Sequence, residues 1–194
     1  MAADTPAPLI EATGLAVMRG ERLLYKGVSL ALAPGEAIRL SGANGSGKTT
    51  LLRMLSGLTR PEAGTITRHV PHHWAGHREG LKPNETPATH LSLWARAWGS
   101  GADIPAILSE MGLTRAAGVP GRYLSAGQRR RTALARLKLV DRPVWLLDEP
   151  YTALDAEGRQ LVDRLIAAHR AGGGAIIAAI HGEAGFPITS EITL

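Results

Sequence analysis

Gly42-Ala43-Asn44-Gly45-Ser46-Gly47-Lys48-Thr49 fits the pattern G-x-x-x-x-G-K-[ST] at every fixed position, and no other stretch limits the fold of this chain as tightly. Before it, Glu36-Ala37-Ile38-Arg39-Leu40-Ser41 reads as a strand set up by the turn Pro34-Gly35. After it, Thr50-Leu51-Leu52-Arg53-Met54-Leu55 reads as a helix with apolar Leu51, Leu52 and Leu55. Strand, glycine loop and helix form the context in which such a loop cradles phosphate. Glycines let N–H groups turn inward around phosphate oxygens, and the helix N-terminus adds partial positive charge at the same point. The expected cradle is Gly42, Ala43, Asn44, Gly45, Ser46, Gly47, Lys48, Thr49 and Thr50. Lys48 would reach the β- and γ-phosphates, and the Thr49 hydroxyl would hold Mg²⁺.

A second element lies about a hundred residues on. Val144-Trp145-Leu146-Leu147 is a short all-apolar run that ends in Asp148-Glu149-Pro150. Such a run reads as a central parallel strand buried on both faces, and carboxylates at its C-terminal end fall at the ligand crevice of an open α/β sheet. Asp148 is then the metal-binding acid, and Glu149 the general base that polarises the attacking water.

Leu124-Ser125-Ala126-Gly127-Gln128 precedes a basic, amphipathic helix expected from Arg129 to about Leu139. The pentapeptide resembles the signature sequence of ATP-binding cassette (ABC) ATPases, with Ala126 where glycine is commonest. Ser125 is a good N-cap, and its hydroxyl and nearby amides suit a γ-phosphate. The resemblance implies that this phosphate belongs to a partner: two cassettes bind head to tail and sandwich two ATP molecules, with Ser125 and Gly127 acting across the interface. Ala153-Leu154-Asp155 looks like the D-loop, with Asp155 touching the partner subunit. His181 ends the apolar strand Ala175–Ile180 and looks like the switch histidine that contacts the γ-phosphate.

Composition sets limits. A chain of 194 residues can bury a full core and reads as one domain. Without cysteine it has no disulfide or thiolate chemistry. Met1 to Pro8 lacks a basic segment and an apolar core, so no secretory signal is expected there. No apolar stretch approaches the roughly twenty residues of a membrane helix, so a cytoplasmic protein is expected unless a partner holds it at a membrane. The formal charge of +5 permits nucleic acid or anionic lipid, but Arg129-Arg130-Arg131 is the lone basic run and aromatics are 4%. A solvated arginine-rich surface is the expected reading, with no nucleic-acid partner. His69, His72 and His73 read as clustered surface histidines.

The expected fold class is α/β: a P-loop ABC ATPase core with an antiparallel β edge layer and an inserted helical subdomain. Short runs at Leu15–Met18, Leu23–Tyr25 and Val28–Leu32, separated by glycine turns, supply the edge layer. Gly64–Thr67 adds a strand. A helical pattern follows, giving a subdomain at about 83–140 within one nucleotide-binding domain of residues 1–194. A helix from Asp155 to about Ala171 and a last edge strand within Ile188–Leu194 complete the core.

Four stretches carry a closer resemblance: Gly42 to Gly57, Gly76-His77-Arg78-Glu79-Gly80-Leu81-Lys82, Tyr123 to Leu137, and Trp145 to Asp155. With the compact length, they resemble the ATP-binding subunits of cytochrome c biogenesis systems, the haem exporter ATPases. The resemblance implies an ATP- and Mg²⁺-dependent ATPase, peripheral on the cytoplasmic face of the inner membrane. It would form a homodimer when ATP is bound, dock on an integral-membrane subunit, and power release of a haem-loaded chaperone. Direct haem binding is not expected, because no axial-ligand motif stands out.

The chain departs from the ABC pattern in places. His77 stands where most relatives have a glutamine linking Mg²⁺ and water to the membrane partner. Arg19 stands where an aromatic usually stacks on adenine; its guanidinium plane can stack instead, or it can be a solvated turn residue before Gly20. Thr89-His90 stands where relatives often have Glu-Asn on the partner-facing surface. Other readings are another ABC exporter, an ABC protein of nucleic-acid or translation work, and a P-loop small-molecule kinase. The last has no reason for the LSAGQ run or the Ala153-Leu154-Asp155 segment.

Overall fold

The computed structural model describes residues 7–194, apart from the side chains of Arg19 and Arg22. The expectation for Met1 to Pro8 falls largely outside these residues, and so does the side-chain role expected of Arg19. The chain forms two compact units: residues 7–76 with Arg142–Glu149 and Leu165–Leu194, and His77–Asp141 with Pro150–Arg164.

In chain order the first unit begins with strands β1 (Ile10–Arg19) and β2 (Arg22–Leu32), then β3 (Ala37–Ser41), helix α1 (Lys48–Leu55), β4 (Ala63–Arg68) and β5 (His72–Ala75). β2, β1 and β4 make an antiparallel sheet in that order, with Ile10 opposite Leu32 on one side and Arg68 on the other. The short runs expected in this region are in fact two long strands. Gly14 does not end β1; it takes a positive φ of 62° where the register shifts between Ala12 and Leu15, as a β-bulge does.

Later segments complete the unit: β6 (Val144–Asp148), β7 (Ala175–Ala179) and β8 (Ser190–Thr193). With β3 and β5 they form a parallel five-stranded sheet in the order β5-β6-β7-β3-β8. Every residue of β6 and β7 is buried, as the all-apolar runs required. Leu51, Leu52 and Leu55 of α1 pack into one core with Ile10, Leu15, Leu32, Ile38, Leu40, Leu146 and Ile177. Strands β6, β7 and β3 are parallel neighbours, so their C-terminal ends meet although the sequence separates them widely.

Strand β5 is absent from the sequence reading, and it corrects the histidine expectation. His73 is 4% exposed and His72 half-buried, because the segment pairs in parallel with β6 from His72 opposite Val144 to Ala75 opposite Leu147. Only His69 of the three is exposed.

The second unit holds α2 (Pro87–Ala97), α3 (Ile104–Glu110) and α4 (Ala126–Ala135), followed by a short 3₁₀ turn at Arg136–Lys138. Helix α5 (Ala156–Ala171) starts in this unit and continues into the first. Leu91, Ile107, Leu108, Met111, Leu113 and Leu134 are buried here. The basic run is not a solvated face. Arg130 is 2% exposed and donates from Nε to the Pro150 carbonyl at 3.4 Å. Arg129 donates to the Leu124 carbonyl at 2.6 Å and Arg131 to that of Met111 at 3.4 Å. Guanidinium groups are spent on backbone carbonyls inside the unit, which neither periodicity nor charge counting reveals. The two residues of Thr89-His90 part ways: Thr89 is exposed and closes a capping box with the N-cap Thr86, whereas His90, 2% exposed, pairs through Nδ1 with Glu85 at 2.8 Å.

Candidate nucleotide site

α1 starts where β3 ends, and glycine makes the turn between them possible. Gly42 has φ of 127°, and a Cβ there would run into the Leu194 carbonyl oxygen. Gly47, the N-cap of α1, has φ of 108°, and its Cβ would lie 2.7 Å from the Tyr25 ring. No side chain caps α1, and its first turn carries no acid. Lys48 opens the helix buried, at 7% exposure, and its ammonium donates to the carbonyls of Gly42 at 2.7 Å and Ala43 at 2.9 Å. The ammonium and the loop are thereby held as one piece.

The Thr49 hydroxyl donates to the Asp148 carboxylate, 3.0 Å from each oxygen. Asp148 is 1% exposed at the end of β6. Glu149 follows with φ of 50°, a left-handed conformation that costs a non-glycine residue on the order of 1–3 kcal/mol. Its N–H donates to the Ala179 carbonyl at 3.0 Å, which ties the strained residue to the end of β7. His181, just beyond β7, places Nε2 3.5 Å from Glu149 Oε1.

These groups line one cavity of about 270 Å³. Asn44, Gly45, Gly47, Lys48, Thr49 and Thr50 form one wall, and Asp148, Glu149 and His181 another. Leu24 of β2 also lines it and was not found from sequence, because its place depends on strand pairing far from the glycine loop. Tyr25, beside it, keeps its hydroxyl buried without a hydrogen-bond partner, and burial pushes its phenol above the usual range. The cavity combines a lysine, loop amides and a helix N-terminus, which suits a polyphosphate. A hydroxyl beside a buried carboxylate is a hard-oxygen pair that fits Mg²⁺. Among the described residues no cluster of three or more His, Asp or Glu could hold a metal, so an ion here would take its remaining ligands from phosphate and water.

The other expected residues lie in the second unit. Ser125 is the N-cap of α4: its side chain accepts from the Gln128 N–H at 3.1 Å, and Gln128 Oε1 accepts from the Ser125 N–H at 2.9 Å. A Cβ on Gly127 would lie 3.1 Å from the Ala153 carbonyl oxygen, and Ala153 itself has φ of 65°. Asp155 caps α5 by accepting from the Gly158 N–H at 2.8 Å. His77 is exposed.

The family model described as ABC transporter matches residues 25–152. A cytochrome c biogenesis ATP-binding export protein CcmA from Hyphomonas neptunium is 67% identical over 188 residues, 97% of each chain. This chain belongs to the ABC transporter family, in its cytochrome c biogenesis ATP-binding branch. Further CcmA proteins of the branch come from Rhodopseudomonas palustris, 46% identical over 89% of this chain and 91% of that one, and Maricaulis maris, 40% identical over 98% and 94%. Solved ABC structures share the fold. One described as an ATP binding subunit of an ABC transporter has a TM-score of 0.80 at 23% identity, over 89% of this chain and 79% of that one. A putative ABC transporter ATP-binding protein from Pyrococcus furiosus has 0.79 at 21%, over 95% and 96%. Family membership makes this an ATP-binding protein of the ATPase type and removes the kinase reading.

Proposed function

We propose that the chain is the ATP-hydrolysing subunit of a membrane ABC complex for c-type cytochrome biogenesis, and that it powers a haem-delivery step. The carrying observation is the cavity where Lys48, the Thr49–Asp148 pair and the Glu149–His181 pair meet, in a chain 67% identical to a CcmA protein over 97% of its length. Among the described residues no helix is long and apolar enough to cross a membrane, and an integral-membrane partner would hold the subunit at the cytoplasmic face of the inner membrane.

In this reading the loop from Gly42 to Thr50 wraps the phosphates, and the Lys48 ammonium neutralises the β- and γ-oxygens. Thr49 and Asp148 would hold Mg²⁺, which supplies charge neutralisation to the phosphates when bound. Glu149 orients a water and takes its proton as the water oxygen bonds to the γ-phosphorus. The β–γ bridging oxygen leaves with ADP, and inorganic phosphate is the second product. His181, paired with Glu149, donates to the γ-phosphate. Ser125 and Gly127 serve the nucleotide of a second copy, Asp155 meets that copy, and His77 faces the water and the membrane partner.

The test is genetic and biochemical. Lys48→Ala in the source organism should abolish covalent haem in its c-type cytochromes, read by peroxidase staining, and membrane purification of the wild-type chain should bring down integral-membrane proteins. Normal haem staining with Lys48→Ala would overturn the assignment to cytochrome biogenesis.

A further inference from the structure

The far end of α1 is fastened as closely as the end that faces phosphate. Gly57, with φ of 77°, closes the helix: its N–H reaches the Met54 carbonyl at 3.0 Å, and the Leu58 N–H reaches that of Arg53 at 2.9 Å. This cap alone would suffice for a surface helix. Here Arg68, the last residue of β4, lies across Gly57 and donates from Nε to the Leu55 carbonyl at 2.6 Å and from Nη2 to the Met54 carbonyl at 2.5 Å. His72 of β5 adds a bond between Nε2 and the Ser56 carbonyl at 3.2 Å. Arg142, two residues before β6, then donates to the His72 carbonyl at 2.9 Å.

These contacts close a circuit. From the C-terminus of α1 it runs through His72 and Arg142 to the start of β6. It continues along that strand to Asp148, and returns through Thr49 to the N-terminus of α1. An eight-residue helix is too short to hold its place by its own hydrogen bonds. Its axial position decides where Lys48 and Thr49 stand.

We propose that Arg68 and His72 are positioning residues for nucleotide: by holding the C-terminal carbonyls of α1 they fix the height of Lys48 and Thr49 against Asp148. They touch no substrate and act through the helix. The cation also opposes the negative end of the helix dipole, which favours the helix without adding charge near the phosphates. The inference rests on the phosphate reading of the same loop.

The experiment measures binding of two probes, ATP and inorganic tripolyphosphate, to purified full-length variants, with melting temperature followed alongside. Arg68→Met keeps the side-chain stem but removes the donors. Both probes should bind about fivefold more weakly, and by the same factor, because the shared phosphate contacts are displaced. KM for ATP should rise by that factor, while turnover at saturating ATP stays within about twofold. Arg68→Lys keeps the charge but loses the fork, so it should recover part of the affinity. His72→Phe should weaken both probes in the same direction. Folded Arg68→Met with unchanged affinity for both probes overturns the proposal, as does a loss confined to ATP. If Arg68→Met does not fold, Arg68→Lys decides: wild-type tripolyphosphate affinity overturns the proposal and weakened affinity upholds it. Lys48→Ala separates the underlying reading, since unchanged tripolyphosphate binding there removes the phosphate site itself.

Discussion

The N-termini of α1 and α4 carry the same dipole but are finished in opposite ways. α1 starts on Gly47 with no side-chain cap, and its first residue is a lysine turned back onto the loop carbonyls. α4 starts on Ser125 inside a complete capping box, each of Ser125 and Gln128 satisfying the other's N–H. The difference separates a site built to be filled from within from one that stands closed by itself. The open end of α1 is tolerated because Leu51, Leu52, Met54 and Leu55 are fully buried and the C-terminal carbonyls are held. A phosphate at α4 would have to compete with a cap of its own chain, worth about 1 kcal/mol. A glycine without a side-chain cap thus leaves the first amides of α1 open, and a serine capping box holds those of α4.

Breaking the open end should have the largest effect. Lys48→Ala removes the ammonium proposed to face the β- and γ-phosphates, and ATP affinity by titration calorimetry should fall by about a hundredfold or more. Binding within a few-fold of wild type would remove the phosphate site from this loop.

The closed end should respond in two ways. Ser125→Ala loses the cap, so about 1 kcal/mol of stability should go, seen as a melting point lower by a few degrees, while nucleotide binding to the single chain is unchanged. Ser125→Arg, combined with Glu149→Gln, should also abolish the ATP-dependent dimer in light scattering. If the dimer persists, α4 does not meet nucleotide across an interface.

The smallest effect sharpens the contrast from the supporting side. Tyr25 packs its ring on Gly47 but leaves its hydroxyl buried without a partner. Tyr25→Phe keeps the ring and removes the unpaired group. ATP affinity should be unchanged and chemical denaturation should show stability equal to wild type or higher by about 1 kcal/mol.

What the sequence disclosed follows the same line. Glycine at Gly42 and Gly47, a run of buried apolar residues before Asp148, and Ala175–Ile180 before His181 are local signals, and each names its own structure. The parallel order β6-β7-β3 then brings their ends together. Residues whose place depends on a distant partner were harder to read. Arg130 looks like surface charge until Pro150 lies over it, and His73 looks solvated until β5 pairs with β6. Gly27 reads as a turn between two short runs but lies inside β2 at a register shift, because a bulge and a turn ask for the same residue. Leu24 reaches the cavity only through the pairing of β1 and β2, and Arg68 reaches α1 from β4.

The proposed function has this cavity hydrolyse ATP with Glu149 as the base. The direct measurement is single-turnover hydrolysis of radiolabelled ATP by wild type and Glu149→Gln, with ATP affinity determined for both. Affinity should be retained and hydrolysis slowed by on the order of a hundredfold or more. Glu149→Gln turnover close to that of wild type would remove Glu149 as the base.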